Sequence, residues 1–123
     1  MTKLDHLGVA VHDWRVSRDW YVNHLGLTVE FEVAERGVVG LLDSAGLTLI
    51  LHQSAPPPGP APFTIYFQVD DVEATYRALS ANGITFVHGP KKVDWGYGAE
   101  LLDPNGYHIG LWDEVSMKAK GEG

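Results

Sequence analysis

Cysteine is absent from the 123 residues. That excludes disulfides and thiolate-bound metal, and it fits a reducing cytoplasm. Long apolar runs are missing as well. No stretch approaches the length of a membrane span, and the opening MTKLDHL lacks a signal-peptide core, so a soluble, cytoplasmic protein is expected. Positive charge is scarce: nine Lys and Arg stand against sixteen Asp and Glu, for a net charge of −7. Phosphate binding needs clustered basic groups, and Lys91-Lys92 is the only such cluster of note, so nucleic acid is not an expected partner. The acidic balance suits a cationic ligand but is also ordinary solubility charge. There is no GxGxxG, P-loop, HExxH or nucleophile elbow. No familiar catalytic motif names a reaction.

What is present is an internal repeat. The first half opens LDHLGVAVHD and closes GLTLILH; the second opens FTIYFQVDDV and closes DPNGYHIGLW. Val11 aligns with Val69 and Gly46 with Gly106, offsets of 58 and 60 residues. A strand–helix–strand–strand–strand unit in tandem builds one structure from two similar halves. The expected organisation is one domain over 1–123, with module one at 3–53, a proline-rich linker at 54–62, module two at 63–114 and a tail at 115–123. The linker SAPPPGPAP favours an extended, stiff chain.

In module one, residues 4–11 read as a strand and Asp13 caps a helix over about 14–24, stopped by Gly26. Trp14, Val16, Trp20 and Tyr21 are its apolar residues. Strands follow at 29–33, 38–42 and 47–51, the last two joined by the Asp43-Ser44-Ala45-Gly46 turn. In module two, 63–69 is a strand and Asp71 caps a helix over about 72–81. Val72, Tyr76 and Leu79 share one face of it. Strands follow at 84–88, 98–102 and 108–112, with Asp103-Pro104-Asn105-Gly106 as the turn. The tail after Asp113 is expected to fray. His12, His24 and His88 fall near element ends and are expected at the surface.

DHLGVAV, WYVNHLGL, QVDDVEATYRALSANGI and WGYGAELLDPNGYHIGLW together make the chain resemble the vicinal oxygen chelate superfamily of glyoxalase I, extradiol dioxygenases and bleomycin-resistance proteins. The resemblance covers about residues 3–114. It implies an α+β fold in which tandem βαβββ modules form a curved-sheet cup around a ligand cavity, often completed by a second subunit, so a homodimer is expected. In metal-dependent relatives four ligands sit on the first and fourth strands of the two modules. The resemblance puts His6, Ile50, Thr64 and Gly110 at those positions. Only His6 is a good ligand. No cofactor is therefore expected. The fallback is a displaced site of His6, His52 and His108 holding Zn, Ni, Mn or Fe, in which His52 and His108 each lie two residues from the consensus positions at Ile50 and Gly110.

Given the strand parity set by His6, the inward residues are Gly8, Ala10, Thr48, Ile50 and His52 from module one. Module two adds Thr64, Tyr66, Gln68, His108, Gly110 and Trp112. Such a lining suits a planar organic ligand. Trp95 and Tyr97 lie in a glycine-flanked segment that in relatives borders the cavity mouth. The ligand-binding set is thus His6, His52, Tyr66, Gln68, Trp95, Tyr97, His108 and Trp112. The favoured reading is a metal-free small-molecule binding protein of the antibiotic-resistance type. The alternatives are a metal-dependent lyase, isomerase or dioxygenase using a displaced His/Glu site, and a metal-independent enzyme in which His6 or Glu100 moves a proton.

Overall fold

The computed structural model describes residues 2–121, which divide into two compact units at Pro58 and Gly59, inside the proline-rich segment. Each unit is a four-stranded mixed sheet.

The first unit runs β1 (His6–Val11), α1 (Trp14–Leu25), β2 (Thr28–Val33), a single 3-10 turn (Ala34–Arg36), β3 (Val38–Leu42) and β4 (Thr48–Gln53). The strand order is β1-β4-β3-β2, with β1 parallel to β4 and the other pairs antiparallel. Asp13 caps α1 by accepting from the Arg15 and Val16 amides, and Gly26 closes it at φ 72°. Only glycine takes that left-handed turn at little cost. Val9, Val11, Val39, Leu41, Leu49 and Leu51 are buried with Trp14 and Tyr21 of α1. Ser17 completes the buried stripe of α1, whereas Val16, one of the helix's apolar residues, is 53% exposed.

The second unit runs β5 (Thr64–Gln68), α2 (Val72–Ala81), β6 (Phe86–Val93), β7 (Gly96–Leu102), β8 (His108–Trp112) and α3 (Glu114–Lys120). Its strand order, β5-β8-β7-β6, repeats that of the first unit. The two closing hairpins use the same device. Asp43 Oδ1 accepts from the Ala45 and Leu47 amides, and Asp103 Oδ1 accepts from Asn105 and Tyr107. The aspartate carboxylate holds each turn in the register that the following strand needs.

Three expectations are corrected. The tail does not fray: Glu114–Lys120 is helical, because Asp113 accepts from the Ser116 amide and caps it. The strand placed at 84–88 spans Phe86–Val93, and the register shift between His88 and Lys91 carries it past Gly89 and Pro90 against β7. His24 is half-buried, with its Nδ1 shielded from solvent and its ring against Trp20 at 5.8 Å.

Candidate functional site

Alternation along β5, β7 and β8 sorts the second unit into two faces. Ala99, Leu101, Ile109 and Leu111 are fully buried and form the core beneath α2. The residues between them point the other way. The register aligns Thr64 with His108, Tyr66 with Gly110, Gln68 with Trp112, and Glu100 with Gly110. Tyr66, Gln68, Glu100, His108 and Trp112 therefore share one face.

Two glycines shape that face. A Cβ at Gly110 would meet Tyr66 Cδ1 at 2.5 Å, and one at Gly98 would run into the Trp95 ring and the Leu111 carbonyl oxygen. Because both lack side chains, Tyr66 and Trp95 lie down on the sheet. Their rings meet edge to face, with centroids 5.1 Å apart and planes at 71°. Tyr66 is nonetheless 50% exposed and Trp95 half-buried. An aromatic corner that buries so little of itself leaves ring surface for a flat partner.

Beside the corner, His108 Nδ1 and Glu100 Oε2 are 2.7 Å apart. Their side chains are 34% and 19% exposed. Sequence reasoning named both residues but not the pair. The signal was in the hairpin: the Asp103–Gly106 turn sets Leu102 opposite His108, which makes Glu100 its diagonal neighbour on the same face.

The glycines predict a split in behaviour. Gly98→Ala forces its methyl against backbone and should cost about 1–3 kcal/mol of stability. At Gly110→Ala the nearest atoms met belong to the half-exposed Tyr66 ring, which can swing away. It should cost less than about 1 kcal/mol while disturbing the corner. Thermal denaturation of the two variants checks this, and equal losses would contradict the description of Tyr66 as displaceable.

In the first unit, His6 opposes Thr48 and His52 opposes Ala10. The pair His6–Thr48 reappears in the second unit with its members exchanged, as Thr64–His108. His6 is exposed and bonded through Nδ1 to Asp5 Oδ2 at 2.8 Å. That hydrogen bond first, then the charges of His6 and Lys3, holds the Asp5 carboxyl below its ordinary value. His52 Nδ1 lies 3.2 Å from Ser54 Oγ. Thr48 Oγ1 donates to Glu30 Oε1 at 3.1 Å, a partner that sequence reasoning missed because Glu30 sits at the register shift of β2.

Tyr97 is a correction. It shares the alternation of Ala99 and Leu101, donates its hydroxyl to Glu73 Oε1 at 2.7 Å, and has Lys120 5.1 Å from its ring centre. The hydrogen bond to Glu73, then burial, raises the phenol above its ordinary value. It ties β7 to α2 and α3, away from the aromatic corner.

A divalent ion does not fit the donors present. Ile50 and Gly110 have no donor side chain, and Thr64 offers a neutral hydroxyl. The displaced trio fares no better. His52 lies four residues from the level of His6, roughly 13 Å along parallel strands, several times a metal–ligand bond. Among the described residues no three His, Cys, Asp or Glu side chains are grouped to hold a metal ion.

Residues 3–111 match the profile of the Glyoxalase/Bleomycin resistance protein/Dioxygenase superfamily, and the chain belongs to that family. It is 28% identical to an uncharacterized protein of Shewanella frigidimarina (strain NCIMB 400), over 94% of this chain and 93% of that one. A glyoxalase/dioxygenase from Nostoc punctiforme shares the fold with a TM-score of 0.77 and 25% identity, covering 91% of this chain and 90% of its own. An antibiotic binding protein from Streptomyces sp. CB03234 matches with a TM-score of 0.77 and 26% identity, over 92% and 96%. The expected α+β fold with repeated βαβββ units is the fold observed.

Proposed function

We propose that this chain is a small-molecule binding protein that captures a flat, partly aromatic organic compound without a resident metal. The observation that carries the reading is the Tyr66–Trp95 corner, laid over Gly110 and Gly98 and still exposed. Buried aromatic anchors supply most of the energy in such recognition, and a few polar groups fix orientation. Trp112 and Gln68 extend the platform on one side, and Glu100 with His108 supplies polarity on the other. The likeness to an antibiotic binding protein supports a role in sequestering a toxic compound. A homodimer in the cytoplasm belongs to the same reading. Elution as a single chain in size-exclusion chromatography contradicts the dimer.

The metal-dependent lyase, isomerase or dioxygenase has one observation in its favour, the Glu100–His108 pair. Those are two donors where such chemistry needs at least three from the protein. Titration of naphthalene derivatives into chelator-treated protein, followed by Trp fluorescence, tests the binding reading. Saturable quenching with an affinity unchanged by chelation is expected; no quenching with any derivative would sink it.

A further inference from the structure

Resting on the binding reading above, we infer that the ligand carries a neutral hydrogen-bond donor, of phenolic hydroxyl type, that His108 Nε2 receives next to the aromatic corner. An ionised carboxylate has no proton to give, so in the Glu100–His108 contact of 2.7 Å the imidazole Nδ1–H is the donor. In a neutral imidazole only one ring nitrogen bears hydrogen, and the contact assigns it to Nδ1. Nε2 then presents a lone pair. Glu100 is a positioning residue: it fixes the tautomer and orients the ring, as carboxylates do for imidazoles elsewhere.

The register sets how far the imidazole stands from the corner. His108 is one pleat repeat from Gly110 along β8, about 6.6 Å. Gly110 is where the Tyr66 ring rests, and Glu100 stands opposite Gly110 on β7. A fused two- or three-ring aromatic stacked at the corner spans about that distance, so a hydroxyl on its rim reaches the imidazole. The side chains leave room for it, since His108 remains 34% exposed while Glu100 is more covered at 19%. A ligand carboxylate is disfavoured at the same spot, because Glu100 would repel it in a chain of net charge −7. The ligand class is therefore a planar polycyclic compound with a neutral phenol or N–H on its edge.

The test compares naphthol, methoxynaphthalene and naphthoate by calorimetric titration of the full chain. Naphthol should bind about tenfold more tightly than methoxynaphthalene, the value of one good hydrogen bond to a buried-edge acceptor. Naphthoate should bind more weakly than naphthol. In His108→Leu the preference for naphthol over methoxynaphthalene should fall to about one. Nitrogen NMR of the imidazole should show the Nδ1–H tautomer at His108 in the wild type and its loss in Glu100→Leu, a readout that a purely structural role for Glu100 would not move. Equal, saturable binding of naphthol and methoxynaphthalene overturns the donor inference and leaves the binding reading standing. Tighter binding of naphthoate overturns it by showing a cationic imidazole. Binding of none of the three overturns both.

Discussion

Replacing Trp95 with alanine should weaken binding of a planar aromatic ligand by a factor on the order of 30, about 2 kcal/mol, and Trp95→Phe by only about threefold. The reasoning begins with the glycines. Gly98 lets the indole lie against β7, and Gly110 lets Tyr66 lie against β8. The two rings then brace each other at 71°. Removing the indole deletes one wall of the corner and also the edge contact that holds Tyr66 down. The loss should therefore exceed the stacking surface of one ring. Phenylalanine keeps a flat ring at the same root and should retain most of the brace. Because the side chain lies away from the core of Ile109, Leu111 and Leu101, the melting temperature should change little. Calorimetry on the two variants, with a melting curve for each, separates the effects. Unchanged affinity in Trp95→Ala would remove the corner from the site.

Asp113→Ala should destabilise the protein by about 3 kcal/mol, the largest effect expected from a residue outside the candidate site. Asp113 is 2% exposed and accepts three hydrogen bonds: from the Val72 amide at 2.7 Å, the Ser116 amide at 2.6 Å and Ser116 Oγ at 3.0 Å. One carboxylate thus satisfies the first turns of both α2 and α3. Alanine leaves the Val72 amide buried without its acceptor and uncaps α3 at once. Asn, which keeps one acceptor oxygen, should lose about half as much.

The charge state adds a pH signature. Burial acts to raise the Asp113 pKa, but the hydrogen bonds from Val72 and Ser116, with the charge of Lys120, outweigh it and hold it below the ordinary 3.8. A carboxyl depressed in the folded state contributes stability above its unfolded pKa and loses it as pH falls through the folded value. The gap between wild type and Asp113→Ala should accordingly be constant through neutral pH and narrow below about pH 4. Urea denaturation at several pH values measures it. A gap that instead widened in acid would contradict the ionised, hydrogen-bonded state.

Much of this was legible in the sequence because it rests on local chemistry. Asp13 and Asp71 announce helix starts by having an oxygen that reaches the next free amides, and both do so. The 58- and 60-residue offsets expose the repeat because both units solve the same turns with Asp and Gly. The third helix was hidden for a physical reason: none of its residues is buried, so it leaves no apolar period to read. Its one signal was Asp113 three residues before Ser116, at the end of what reads as a strand. Tyr97 was misplaced because it was read with Trp95 as one glycine-flanked loop segment. Trp95 lies before β7, and its ring folds back over Gly98, whereas Tyr97 is already inside β7 and follows the alternation of Ala99. The Glu100–His108 pair was readable from hairpin register but not from spacing alone, since a contact between neighbouring strands depends on which residues the turn sets opposite each other.

The most direct measurement is the metal content of freshly purified protein, before and after equilibration with Zn, Ni, Mn and Fe(II), paired with ligand titration at each stage. A single imidazole at His6 and a Glu–His pair should hold these ions only weakly. The account predicts far less than one ion per chain and a ligand affinity that is the same with and without chelator. One tightly held ion per chain, with binding abolished by its removal, would contradict it.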